Sequence, residues 1–291
     1  MVKNFMQFIV VLVGILFLSQ AVEADKVVVI PLSSSKKLMN VVTVSAKGGD
    51  FTDPVAAVNS INNASASNPY LVFIGPGNYS LTQTLFMKSF VTIAGAGQDA
   101  TTLIGAISSS AATEISAIIS GADNSTLRDL TVENTGGSDY SIALYNNGTS
   151  PVIQDVTAIA SGATSNLGVL NISCSSVMTD VTATGSGGTT NRGVANANGS
   201  SPIMTDVTAT ASGGTSSYGL RSHTSSPIIR HCTLDGTTGS IYVTAGTTRV
   251  IRSSIINGVN VESGTLTCVN SDNGVDNELD IDCTVILPPS P

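Results

Sequence analysis

Between Thr149 and Thr224 one alternation of apolar and polar positions is written three times: TSPVIQDVTAIASGATSNLGVLNISC, SSVMTDVTATGSGGTTNRGVANANG and SSPIMTDVTATASGGTSSYGLRSHT. Aligned on their aspartate, the copies give a column Asp129, Asp155, Asp180 and Asp206, continued by His231 and Ser253. The period of about 22 to 26 residues is that of a solenoid. Two positions before the aspartate stand Leu127, Ile153, Met178, Met204, Ile229 and Ile251. The intervening residue is polar: Arg128, Gln154, Thr179, Thr205, Arg230 and Arg252. One position after the aspartate come Leu130, Val156, Val181, Val207, Cys232 and Ser254, and two further on Val132, Ala158, Ala183, Ala209, Leu234 and Ile256. Side chains alternate faces along a strand, so apolar columns at offsets of −2 and +1 do not belong to one straight strand. The aspartate therefore marks a tight bend between two strands. A third strand starts near Ile142, Val169, Val194, Leu220 and Ile241, three of which follow a glycine. A leucine-rich repeat of this period needs leucines at fixed offsets. These units are instead Val, Ile and Thr segments broken by Gly, Ser and Thr, which is strand and turn chemistry. The pattern predicts an all-β fold, a right-handed parallel β-helix of roughly nine coils.

The ends read differently. Residues 1–24 join Lys3, an apolar run from Phe8 to Leu18, and small residues at Val22 and Ala24. That is the pattern of a secretory leader cut near Ala24, and the run is too short for the ~20 residues of a membrane span. No span is expected after cleavage. Residues 25–40 form an extended lead-in, residues 41–265 the β-helix, and residues 266–291 a C-terminal cap and tail. Asp53-Pro54 starts a short helix reaching about Ile61, with Asp as N-cap and Pro at the first helical position. Val55, Val58 and Ile61 share one face, which suits a lid over the open end of the stack. Of the four cysteines, Cys268 and Cys283 flank an acidic segment beyond the repeats and are expected to form a disulfide, closing a loop for roughly 3 kcal/mol.

Charge narrows the partners. The 291 residues carry 12 Lys and Arg against 20 Asp and Glu, 11% charge in all, and no Trp. A phosphate backbone needs a clustered basic surface, so nucleic acid is excluded as a partner. The apolar columns also exclude a disordered Gly/Ser/Thr linker.

The stretch VTVSAKGGDFTDPVAAVNSI, followed by YLVFIGPGNYSL, VTIAGAG and STLRDLTVENTGG, resembles the opening of pectin methylesterases within the pectin-lyase-like β-helix superfamily. The likeness covers about residues 41–145, and the later S-S-P-I repeats resemble secreted bacterial β-helix proteins of unassigned function. The resemblance implies a site with two aspartates, one nucleophile and one acid/base, lined by an arginine and glutamines. Carried over by position, the first glutamine falls near Tyr140, the first aspartate near Asn166 or Leu167, and the second near Arg192. Neither aspartate position has an Asp within two residues, and the family's Gly-Arg-Pro-Trp segment has no counterpart in a chain without Trp.

Other candidates are weighed against plainer roles. Stacked in register, the carboxylates of Asp129, Asp155, Asp180 and Asp206 would lie about 4.8 Å apart and repel by ~1 kcal/mol in water or ~3 kcal/mol at an effective dielectric of 20. Backbone N–H groups, protonation or a cation such as Ca²⁺ would relieve the row. The resemblance favours a structural ladder, since related β-helices stack asparagines in the corresponding turn. His223 and His231, with Ser222, Ser226 and Cys232 nearby, lack the spacing of a metal site or of a triad. Thr131, Thr157, Thr182, Thr208 and Thr233 form an outward column like those of ice-binding β-helices, though β-propensity accounts for it. Ala94 to Gln98 is a turn and lacks the GxGxxG spacing of a phosphate loop. Six N-x-S/T sequons begin at Asn63, Asn78, Asn124, Asn147, Asn171 and Asn198.

The sequence thus reads as a secreted β-helix protein of the extracellular space or cell surface, with the periplasm as the bacterial equivalent. It would act as a surface or binding protein for a polysaccharide or cell-surface component, without pectin esterase activity. No catalytic, cofactor-binding or metal residue is assigned and no cofactor is expected. The alternative is a carbohydrate-active enzyme of the methylesterase/lyase type with a rearranged site; short connections and few aromatics beyond Tyr145, Tyr218 and Tyr242 weigh against it.

Overall fold

The computed structural model describes residues 40–275 and 277–284, so the expected leader and nearly all of the expected lead-in lie outside the described residues. The predicted bend sits where alternation breaks. Asp129, Asp155, Asp180 and Asp206 have φ of 58°, 51°, 53° and 54°, and His231 and Arg252 follow at 51° and 48°. Asp and Asn enter the left-handed region more readily than other L residues, because their short polar side chains bond locally. One such residue swings the chain from one strand direction to the next. Each coil then adds to a 15-stranded and an 8-stranded sheet, all of whose strand pairings are parallel.

Register is continuous from coil to coil. Leu127, Ile153, Met178, Met204, Ile229 and Val250 pair in sequence along the first sheet and are all 2% exposed or less. Val132, Ala158, Ala183, Ala209, Leu234 and Ile255 do the same beyond the bend, at 0 to 1% exposure. The last coil therefore sits one residue earlier than the sequence alignment placed it. Arg252 is the bend, Val250 and Ile255 point into the core, and Ile256 is 42% exposed. Consecutive aliphatic residues at 250–251 and 255–256 hide such a slip, and a slip of one reverses every face.

The third strand holds a second correction of register. Leu144, Val169, Val194, Leu220 and Ile241 share the inward column, whereas Ile142 pairs with Leu167. The residue before each inward position is Ala143, Gly168, Gly193, Gly219 or Ser240. At Gly193 a Cβ would stand 2.6 Å from the backbone nitrogen of Thr210, so glycine is required where two strands of adjoining coils meet across the core.

Eight strands in the second sheet enclose seven turns, against the roughly nine coils expected from length. The N-terminal end accounts for one coil of the difference: between the first strand, Val41–Val44, and the next, Tyr70–Ile74, the chain forms a helix, Pro54–Ser60, in place of a strand of the second sheet. Asp53 caps that helix by accepting from the Val55 N–H at 2.9 Å, Pro54 opens it, and Val55, Ala57, Val58 and the following Ile61 are buried. The Lys88 ammonium donates to the carbonyls of Asn59 and Ile61 at its far end, satisfying carbonyls that the helix leaves open. At the other end the strand Thr265–Val269 completes the first sheet. There Cys268 and Cys283 form the expected disulfide, with Cα atoms 5.2 Å apart, drawing the tail and the buried Leu279 over the last coil.

Candidate functional site

Val169, Val194 and Leu220 point inward and the residues that follow them point out, while alternation breaks at the preceding Gly168, Gly193 and Gly219, so that Leu167, Arg192 and Tyr218 face out as well. Two outward columns run along it: Ile142, Leu167, Arg192, Tyr218 and Gly239, and beside them Tyr145, Leu170, Ala195, Arg221 and Tyr242. The N-terminal half of this face is apolar and buried: Ile142, Tyr145, Leu167, Leu170 and Ala195 form a cluster separate from the main core, with Ala112, Tyr140 and Ile172 packed against it. The C-terminal half is cationic and aromatic. Tyr218 and Tyr242 stack with centroids 4.9 Å apart and rings 25° from parallel. The Arg192 guanidinium lies 5.1 Å from the Tyr218 centroid, a cation–π arrangement.

Arg192 is only 5% exposed. Its terminal nitrogens donate to the carbonyls of Asn191 and Ser216, at 2.7 Å each, and to the Ser216 hydroxyl at 2.9 Å. The Nε groups of Arg192 and Arg221 are both buried and unpartnered. Among the described residues neither guanidinium forms an ion pair. Burial first, and the neighbouring Arg221 second, push the Arg192 pKa down to about 10. A buried charge without a counter-charge costs free energy that an anion would offset. At the edge of the cluster Tyr242 donates to the Glu262 carboxylate, the main reason its pKa lies above the usual value, and Asn260 donates to the Tyr218 hydroxyl at 3.3 Å.

The positions carried over from the resemblance fall on this sheet but do not all face the same way. Leu167 and Arg192 are register partners on the outward column. Tyr140 begins its strand one outward position earlier, in register with Ser165. Asn166 turns inward and is fully buried, its amide donating to Asn191 Oδ1 at 3.1 Å. From Tyr140 to His223 the outward positions of this sheet carry no carboxylate.

Two columns that sequence reasoning missed lie on the inward side. Asn146 donates to Asn171 and Asn171 to Asn196, each at 2.9 Å, and Asn166, Asn191 and Ser217 form a parallel ladder at 3.1 Å per step. All six are at most 2% exposed. Side-chain amides suit this place because each both donates and accepts, so one side chain satisfies the next up the stack. The signal was present as asparagines recurring at a fixed interval of 25 residues.

The asparagine ladders are therefore not in the aspartate bend. The bend aspartates point to solvent or lie at its edge, Asp129 paired with Arg128 and Asp206 within 3.9 Å of His231 Nδ1. No group of three or more metal-ligating side chains comes together among the described residues. His223 Nδ1 meets the Thr244 hydroxyl at 2.5 Å, while Ser222 is buried and donates to the Ser225 carbonyl at 3.4 Å. Cys232 is buried in the apolar column and its thiol pKa is pushed up to about 11 by burial. The threonine column is unbroken in register from Thr102 through Thr131, Thr157, Thr182 and Thr208 to Thr233, but Gln98 covers part of it, accepting from Thr131 and Thr157 at 2.8 and 2.6 Å.

Comparison with known proteins matches residues 38–265 to a family model described as rhamnogalacturonase A/epimerase, pectate lyase-like. Solved structures of similar fold include a pectin methylesterase from carrot, at 16% identity over 88% of this chain and 90% of that one, with a TM-score of 0.59. A pectin methylesterase from Aspergillus niger gives 12% identity over 84% and 88% of the two chains and a TM-score of 0.53. The Dettilon tailspike protein gives 11% identity over 76% of this chain and 46% of that one, with a TM-score of 0.55. At such identities the likeness is one of fold. No curated protein matches the sequence.

Proposed function

Since the chain belongs to the rhamnogalacturonase A/epimerase, pectate lyase-like family, we propose that it binds an anionic polysaccharide along the outer face of the second sheet and does not de-esterify it. The observation that carries this reading is the unpaired guanidinium pair, Arg192 and Arg221, beside the stacked Tyr218 and Tyr242. A uronate carboxylate would supply the missing counter-charge, and the half-buried Tyr242 ring, stacked on the buried Tyr218, offers an apolar face to the C–H side of a sugar. A rigid sheet with about 4.8 Å between coils presents these groups in a line, as an extended polymer requires.

The chemistry of ester cleavage needs a nucleophile and a base within reach of each other. Leu167 and Arg192 stand where the resemblance puts two aspartates, and Asn166 is committed to the interior. The same face supports binding better than turnover. Extracellular action suits the Cys268–Cys283 disulfide, a bond that persists in oxidising compartments.

Affinity electrophoresis in gels containing polygalacturonate or fully methyl-esterified pectin tests both halves. Retardation is expected in the acidic polymer and not in the ester, weakened at least tenfold by Arg192→Gln with Arg221→Gln. Methanol release from the ester is expected to equal the blank. Equal retardation in both polymers would refute the carboxylate reading, and methanol release abolished by substituting one named carboxylate would restore the enzyme.

A further inference from the structure

Six asparagines begin N-x-S/T sequons, and the fold does not treat them alike. Asn63, in the segment after the helix, Asn78, on the strand Gly77–Leu81, and Asn124, Asn147 and Asn198, beside the turns, are exposed. Asn171 is 0% exposed and sits in the middle of the inward ladder. Its Nδ2 donates to Asn196 and its Oδ1 accepts from Asn146 and from the Ser176 hydroxyl at 3.1 Å. We infer that Asn63, Asn78, Asn124, Asn147 and Asn198 are acceptors of N-linked oligosaccharide in a secretory pathway that performs this transfer, and that Asn171 is excluded from modification in the folded protein. This goes beyond the polysaccharide-binding reading and does not depend on it.

The donor class is an oligosaccharide linked to a lipid diphosphate. The asparagine Nδ2 attacks the anomeric carbon, a C–N bond forms, the C–O bond to the diphosphate breaks, and the lipid diphosphate leaves with the electron pair. The amide loses one proton to a base, and nothing is oxidised or reduced. The product needs space around Nδ2 and water for the sugar hydroxyls. Local geometry provides both. Asn124 and Asn198 adopt φ of 55° and 53°, Asn147 and Asn198 are each followed by a positive-φ glycine, and Asn63 engages its oxygen, not its nitrogen, with the Tyr70 hydroxyl at 2.7 Å. At Asn171, which is 0% exposed, a sugar in place of one of the two Nδ2 hydrogens would have no room beside Asn196 and would force polar groups into the interior. A chain modified there before folding could not close the ladder.

Three of the five, Asn124, Asn147 and Asn198, lie at the connections that lead from the second sheet back to the first. Their oligosaccharides would stand along one edge, at the ends of the strands that carry Arg192 and Arg221.

The test is to secrete the full chain from a eukaryotic host and release its oligosaccharides in ¹⁸O water with a peptide N-glycosidase, an amidase that hydrolyses the Cγ–Nδ2 bond and so marks each former attachment site as a labelled aspartate. Peptide mapping is expected to find label at the five exposed positions and none at Asn171. Label at Asn171 in the secreted, folded protein overturns the exclusion, and an unlabelled position among the five overturns the assignment there. A pair of variants separates modification from folding. Asn147→Gln should remove one oligosaccharide and leave the thermal midpoint where it was, whereas Asn171→Gln should remove none and lower it. Loss of an oligosaccharide in Asn171→Gln refutes the inference.

Discussion

Replacing Asn171 by alanine tests whether the inward ladder supports the fold. The substitution deletes an amide that joins coils on both sides: the Asn146 Nδ2 loses its acceptor and the Asn196 Oδ1 loses its donor, each from a bond of 2.9 Å. The Ser176 hydroxyl also loses the acceptor it holds at 3.1 Å. Asn146 and Asn196 are at most 2% exposed, so water does not replace what is lost. An orphaned buried polar group costs about 1 to 3 kcal/mol, and two give about 2 to 6 kcal/mol before any loss of packing. Against a domain stability of about 5 to 15 kcal/mol, that is a large share. Urea unfolding followed by far-ultraviolet circular dichroism would read it as a lowered midpoint at unchanged slope. Asn147→Ala, one residue outside the equivalent rung and exposed, is the control and should stay within about 0.5 kcal/mol of wild type. A loss below about 1 kcal/mol for Asn171→Ala would show that the ladder is dispensable.

Further outcomes follow from the same geometry. Asp180→Asn should leave the unfolding midpoint unchanged or raise it, since the amide keeps the left-handed preference and removes a negative charge between two others, whereas Asp180→Val should cost ~1 to 2 kcal/mol for a branched residue at φ 53°; equal effects would refute the conformational account. Chelator should leave the wild-type midpoint unmoved, and a drop would restore the Ca²⁺ reading. Gly193→Ala should cost about 1 to 3 kcal/mol because a Cβ meets backbone at 2.6 Å, with a midpoint within 0.5 kcal/mol of wild type as the refuting result. Reducing the Cys268–Cys283 bond should remove roughly 3 kcal/mol and expose amides near the C-terminal end first, so that unchanged hydrogen exchange there would count against its capping role.

The coil was legible because its apolar columns recur with little drift from Leu127 to Ile229. It blurred at the last coil, where Val250 and Ile251 are both aliphatic and periodicity alone does not choose between them. The short helix was legible from Asp53 and Pro54, whose local chemistry needs no tertiary partner. The asparagine ladders were not read, since a polar residue on a strand looks solvent-facing until its stacking partner is known. The Arg192, Tyr218 and Tyr242 cluster was hidden for a related reason: its members come from three successive coils, and no local pattern joins them. The resemblance to pectin methylesterases placed attention on Leu167 and Arg192, which lie on the right sheet, but it had no means of showing that Arg192 and Arg221 lack counter-charges.

The left-handed bend residue makes each coil a self-contained cassette. A duplication of about 25 residues, from one bend to the next, would bring its own turn, its own inward asparagines and its own outward side chains, and would need no adjustment from its neighbours beyond stacking. The chain could therefore lengthen or shorten by one rung of about 4.8 Å at a time, and the reach of its outer face would change in the same increments. Size in such a molecule is a count of duplications, and the helix at one end and the disulfide at the other serve whatever number of coils lies between them.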